Sequence, residues 1–290
     1  MIRVDSVSCG YTAAAVLQHL SLDIGDTEFT VIIGPNGAGK STLLYAVMGL
    51  LPLRSGNVEI DGIDLAEMRR QDLAKLVAFV PQEVQTQFDY PVREMILMGR
   101  YPWLSMLQSW SEEDHAVAYA VMRLLKLQDL AERYFNHLSG GEKQRVLIAR
   151  ALAQETKYIF LDETISQLDI NHQIEIMQLL DEINRLQGKG IVLVSHNLNL
   201  AANFASRLVF IRHGQVLGSG TPAEMITPQR LYELMGIELM TMHNPLSNTA
   251  NILYPGRTSV IPATDRDETS SAQASDQDRT SGTRATDQRS

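Results

Sequence analysis

A single cysteine, Cys9, stands among the 290 residues. No intrachain disulfide is possible, and a chain of this length can bury a core large enough to do without one. The compartment expected is a reducing one. Long apolar runs are missing as well. The longest, residues 43–53 with Gly49 and Pro52 counted in, is about half of the roughly 20 residues that a helix needs to cross a bilayer. No membrane span is expected, and the opening MIRVDSVSCG lacks the apolar stretch of a signal peptide. Positive charge is in deficit, with 25 Lys and Arg against 34 Asp and Glu and a formal net charge of -9. That balance argues against a nucleic-acid surface.

The last absence is local. Residues 263–290 contain no Val, Ile, Leu, Met, Phe, Tyr or Trp, and their six acids are mixed with four arginines. Such a segment buries too little apolar surface to offset the entropy of ordering it, so it is predicted to be a disordered polar tail. Its mixed charge does not suit a polybasic membrane anchor.

What is present up to about residue 260 is an alternation of short β-rich runs with helical stretches, the pattern of an α/β fold with a mostly parallel sheet. Strands are predicted at 3–8, 29–33, 57–60, 77–80, 158–161, 191–195 and 207–211. Several are near-continuous apolar runs, as strands covered on both faces require. Between 92 and 153 the strand signal vanishes, and 95–98, 115–127 and 142–153 read as amphipathic helices. This stretch reads as a helical subdomain inserted into the sheet. His213-Gly214 between residues 209–212 and 215–217 predicts a two-residue hairpin turn.

Gly34, Pro35, Asn36, Gly37, Ala38, Gly39, Lys40, Ser41 and Thr42 match G-x-x-x-x-G-K-[ST]. The motif follows a predicted strand and precedes a predicted helix at 41–50, where its mechanism needs it. Small residues let successive N–H groups converge on an anion, and the helix adds its positive end. Lys40 is expected to reach the β- and γ-phosphates, and Ser41 to place its hydroxyl on Mg²⁺. The apolar run at 158–161 leads to Asp162 and Glu163. Asp162 is expected to hold Mg²⁺, mostly through water, and Glu163 to orient or deprotonate an attacking water.

Ser139, Gly140, Gly141 and Glu142 precede another helix and form a second anion-ready N-terminus. Taken alone, this is an ordinary Ser-capped helix. One nucleotide has little use for two cradles, however, and a dimer in which each chain's second cradle covers the other chain's nucleotide uses both.

With these motifs the sequence resembles the ATP-binding cassette family, the nucleotide-binding subunits of ABC transporters, over about residues 1–240. The resemblance implies a P-loop NTPase fold: a RecA-like, mostly parallel sheet core, an N-terminal antiparallel β part and a helical subdomain inserted at about 88–153. Residues 241–262 then form a C-terminal extension. By the same resemblance, Tyr11 stacks on the adenine and Gln82 touches the metal and the attacking water. His196 contacts the γ-phosphate, and Asp169 lies in a loop that crosses the dimer interface. One departure stands out: Glu163 is followed by Thr164-Ile165-Ser166-Gln167-Leu168-Asp169, where the family usually has Pro-Thr and then Ser-Ala-Leu-Asp. Loss of a fixed φ is expected to make this loop more mobile.

With one cassette and no span, hydrolysis must act through partners. The resemblance implies a second copy of the cassette, integral membrane permease subunits and, indirectly, a solute-binding protein, placing the chain peripherally on the cytoplasmic face of the cell membrane. The Met-Gly-Arg-Tyr-Pro run at 98–102 resembles cassettes of importers for iron-siderophore, haem, cobalamin and related metal chelates. Phe88, Tyr90, Tyr101 and Trp103 nearby have the composition of an interface, or else pack the helical subdomain's own core. DNA-repair cassettes carry long heptad coiled coils and ribosome-associated ones paired cassettes with basic arms; neither pattern occurs here.

Overall fold

In the computed structural model, residues 1–84, 87–105, 108–166 and 168–254 are described; the predicted tail at 263–290 lies outside them. The chain opens with β1 (Ile2–Cys9), β2 (Leu17–Ile24) and β3 (Phe29–Ile33), then α1 (Lys40–Val47). Next come β4 (Leu53–Ile60), β5 (Ile63–Asp64), α2 (Arg70–Leu76) and β6 (Val77–Val80). A helical stretch follows, with α3 (Val92–Leu97), a 3-10 turn (Met98–Trp103), α4 (Glu112–Leu124) and α5 (Gly140–Ala153). The alternation then resumes with β7 (Tyr158–Asp162), α6 (Ile170–Gln187), β8 (Gly190–Val194), α7 (Leu198–Phe204), β9 (Arg207–Arg212) and β10 (Gln215–Gly220). Last are α8 (Pro222–Met225), α9 (Pro228–Met235) and the pair β11 (Met240–Asn244) and β12 (Thr249–Leu253).

The six-stranded sheet has the order β10-β9-β3-β8-β7-β6. All its pairings are parallel except β9 with β10, the predicted hairpin. His213 and Gly214 both have positive φ, 51° and 74°. A two-residue turn with positive φ at both positions matches the twist of the strands it joins. Apolar residues fill both faces of β3, with Phe29, Val31 and Ile33 toward one core and Ile32 toward the other. This is why the run reads as continuous rather than alternating.

The first core continues into the helical stretch, where Val92, Met95 and Ile96 join Ala118, Met122, Val146 and Ile148. The second lies under α1 and the antiparallel sheet β2-β1-β4-β5. Strand β2 has no counterpart among the predicted strands. Its burial alternates along LQHLSLDI, so only every second or third residue is apolar and facing in. Helix α4 begins at Glu112, three residues earlier than predicted, because Ser111 caps it and shares a capping box with Asp114. Helix α1 stops at Val47, short of the predicted 50, where Met48 leaves helical geometry and Gly49 turns at φ 63°. Parallel pairing sets the ends of β3, β7 and β8 side by side. The loops leaving them carry the motifs singled out above.

Candidate functional site

The loop after β3 and the first turn of α1 line a pocket of about 450 Å³ with Tyr11, Val16, Asn36, Gly37, Gly39, Lys40, Ser41, Thr42 and Glu163. Gly39 precedes the helix at φ 101°, a conformation that a side chain strongly disfavours. No side chain caps α1, so its first-turn N–H groups remain open toward the pocket. Lys40 is 4% exposed, and its Nζ donates to the carbonyls of Gly34 at 3.0 Å and Pro35 at 3.1 Å. Glu163 Oε1 lies 3.5 Å from the same nitrogen. The lysine is thereby held folded over the loop, with a carboxylate as its counter-charge. Tyr11 lies at the rim and is 60% exposed.

Strands β7 and β8 bring the acids and the histidine to this loop. Ser41 Oγ donates to Asp162 Oδ1 at 2.8 Å. Burial raises the Asp162 carboxyl above its ordinary pKa and the Glu163 charge adds to this, while the Ser41 hydroxyl and Lys40 oppose it. Burial raises the hydroxyl of Tyr45, one turn beyond Ser41, above its ordinary pKa, and the nearby Asp162 adds to this. The other oxygen of Glu163, Oε2, is 2.8 Å from His196 Nε2. Glu163 adopts φ 48°, and its carbonyl accepts from Ser166 N at 3.2 Å and Ser166 Oγ at 2.7 Å. Positive φ at a non-glycine residue is a strained setting of the kind kept where a side chain must be aimed. The loop expected to gain mobility without its proline is thus tied at Ser166 and has Thr164 and Ile165 buried. Gln167 lies outside the described residues.

The remaining predicted residues sit elsewhere. Gln82 is exposed beyond Pro81 and does not line the pocket. Ser139 caps α5, accepting from Glu142 N at 3.3 Å, while Glu142 returns a bond to Ser139 N at 2.8 Å. Gly140 and Gly141 form the first turn of that helix. Asp169 caps α6 through His172 N at 3.1 Å. Neither Ser139–Glu142 nor Asp169 reaches this chain's own pocket lining. Sequence reasoning missed Tyr45 and Val16. Tyr45 was visible as the residue four beyond Ser41 on one helix face, whereas Val16 enters from the bend just before β2 and carried no local signal.

A family profile described as ABC transporter matches residues 17–166. The ferric enterobactin transport ATP-binding protein FepC of Escherichia coli (strain K12) is 35% identical over 258 residues, covering 89% of this chain and 95% of the relative. The chain belongs to the ABC transporter family. It is an ATP-binding, ATP-hydrolysing cassette of that family. Among solved structures, a metal-chelate type ABC transporter in an inward-facing conformation aligns at TM-score 0.76 and 28% identity. The alignment covers 87% of the cassette and 96% of that chain. A dimeric post-hydrolysis state of an ATP-binding cassette bound to ADP and Pi aligns at TM-score 0.65 and 30% identity, over 76% of this cassette and 98% of that chain.

A further cleft of about 650 Å³ lies between the core and the helical stretch, lined by Met48, Leu50, Leu73, Phe79, Tyr101 and Arg150 among others. Phe88, Tyr101 and Trp103 are exposed, at 66%, 59% and 43%, whereas Tyr90 packs against the helical core. Of the four, Tyr90 alone packs against the helical core, while Tyr101 stacks near Trp110 and Trp103 donates to the Gln154 carbonyl.

Proposed function

We propose that the cassette drives import of a metal chelate, an iron-siderophore, haem, cobalamin or related complex, by binding and hydrolysing Mg-ATP as a homodimer on the cytoplasmic face of a membrane permease. The observation that carries the catalytic part is Glu163, bonded between Lys40 and His196 at the mouth of the phosphate loop. The full-length likeness to a ferric enterobactin cassette supports the substrate class.

The open amides of α1 and Lys40 bind the phosphates. Tyr11, exposed at the rim, offers its ring to the base. Incoming phosphate replaces Glu163 as the partner of Lys40, which frees that carboxylate to orient and deprotonate a water. His196, 2.8 Å from Glu163, holds the carboxylate in place and would contact the γ-phosphate. Ser41 and Asp162 offer two hard oxygen donors, and a cation held there would offset the burial that disfavours the Asp162 charge. This set fits Mg²⁺ and would hold it; Gln82, which lies outside the pocket lining, would add its oxygen only by moving in. When bound, the metal neutralises charge that develops on the phosphates.

Ser139, Gly140, Gly141 and Glu142, which do not line this chain's own pocket, present their cradle to the nucleotide of a second copy, with Asp169 at the dimer face. The nucleotide then contacts both chains only when they are closed, so binding favours closure and loss of the γ-phosphate reverses it. The cleft beside Tyr101 and Arg150 receives the permease, and a solute-binding protein delivers the chelate. Glu163→Gln tests the reading. The variant is expected to bind ATP as the parent does, to form an ATP-dependent dimer, and to lose turnover by about 10² to 10⁴-fold. Parental turnover sinks the assignment. Co-isolation with a nuclease or ribosomal partner in place of a permease overturns the transport role.

A further inference from the structure

The first turn of α6 touches two loops that the dimer reading assigns to different nucleotides. Asp169 caps the helix through Oδ1, and its Oδ2 holds the ring of His172, 2.7 Å from Nδ1. The ring so fixed lies against Gly141 in the first turn of α5. A Cβ built on Gly141 would stand 2.7 Å from His172 Cδ2 and 3.1 Å from Nε2. The imidazole thus fills the space that a side chain at 141 would need, and it supports a glycine turn that has little stiffness of its own. The next residue, Gln173, donates from Nε2 to the Leu168 carbonyl at 2.8 Å. Its Oε1 faces Asn197 Nδ2 at 3.5 Å. Asn197 follows His196 directly and caps α7, accepting from Leu200 N at 3.1 Å.

Three elements therefore meet on one helical turn: the Ser139–Gly141 cradle, the loop after Glu163, and the loop that carries His196. Neither His172 nor Gln173 belongs to the buried cores or to the phosphate pocket. We propose that His172 and Gln173 are positioning residues that tie the cradle at Gly141 to the loop of His196, so that one chain's contributions to the two shared sites shift together. The proposal rests on the dimer reading, in which the cradle serves the partner's nucleotide and His196 serves the chain's own. It deepens that reading by naming the physical link between the sites: ring against glycine on one side, an amide contact to the neighbour of the histidine on the other. A packed side chain and a short hydrogen-bond chain are the kind of connection through which such coupling travels.

The test uses the full chain in two states. Without nucleotide, His172→Ala is expected to speed hydrogen exchange at residues 140–143, and Gln173→Ala at residues 197–200, by about fivefold or more. ATP affinity of the dilute single chain stays unchanged, because neither side chain reaches the Lys40 pocket. In the Glu163→Gln background, His172→Ala is expected to raise the ATP concentration for half-maximal dimerisation by about five- to tenfold. In the otherwise unaltered chain it raises KM for ATP while kcat holds within about twofold. His172→Phe, which keeps a ring against Gly141, restores most of the loss, as a general drop in stability would not allow. Unchanged exchange at residues 140–143, or unchanged half-maximal ATP, overturns the proposal. A Glu163→Gln parent that forms no ATP-dependent dimer counts against the dimer reading instead. The exchange rates at 140–143 then decide the brace by themselves.

Discussion

Helices α1 and α5 both begin at glycine-bearing turns, yet their first turns are finished in opposite ways. Helix α1 has no side-chain cap, and the groups around it, Lys40, Ser41, Asp162, Glu163 and His196, are bonded to one another within one chain. Helix α5 is closed by a reciprocal box between Ser139 and Glu142 and meets no counter-group of the phosphate pocket. The first turn is held by groups of its own chain that a ligand would have to displace; the second is closed by its own cap and stands outside that pocket. Substitutions at the two helix starts should therefore separate binding by the single chain from events that need two.

The largest effect falls on the first. Lys40→Ala removes a nearly buried cation that holds two carbonyls and one carboxylate. Charge-assisted bonds to phosphate are lost with it, about 3 kcal/mol in all, or roughly 100-fold in ATP affinity. Calorimetric titration of the dilute chain reads this directly, and an unchanged affinity breaks the comparison at its stronger end. Ser139→Ala acts on the second. It deletes a cap worth about 1 kcal/mol to the helix, leaving Glu142 N without its acceptor. ATP affinity of the single chain should stay the same while turnover, measured at concentrations where dimers form, falls about fivefold. Equal losses in both assays would mean that α5 serves the chain's own nucleotide.

The two turns were also unequally legible. The phosphate loop is contiguous, so its spacing alone announced Lys40 and Ser41, and the apolar run before Asp162 announced the acids. Their meeting depends on β3, β8 and β7 being neighbours in that order, which parallel-strand reasoning anticipates only in general terms. His196 carried no local signal beyond its place at the end of a strand and was singled out through the family resemblance. Strand β2 escaped because a half-buried edge mixes His19, Ser21 and Asp23 with its apolar residues. Helix α4 carried a readable start in Ser111-Glu112-Glu113-Asp114 that apolar periodicity passes over, since caps lie ahead of the periodic run. The contact of His172 with Gly141 joins two helices through packing; no spacing in one sequence encodes it.

The smallest effect sharpens the comparison through pH. Hydrogen bonds from the Ser139 amide and hydroxyl hold the Glu142 carboxyl below its ordinary pKa, with Arg133 and Arg145 adding to them. A carboxylate with a depressed folded-state pKa adds stability that is complete above its unfolded value, near pH 4.3. That stability is lost as the pH falls through the folded value. Glu142→Gln keeps an acceptor for the Ser139 amide and cannot titrate in this range. In urea unfolding near neutral pH the variant should be less stable by a few tenths of a kcal/mol, a small figure because the carboxylate faces water and is screened. The gap should narrow toward zero as the pH is taken below about 4. A gap that stays constant across this range would show that the charge of Glu142 does not contribute to closing α5. The closure of α5 would then depend on the Ser139 hydroxyl, which does not titrate.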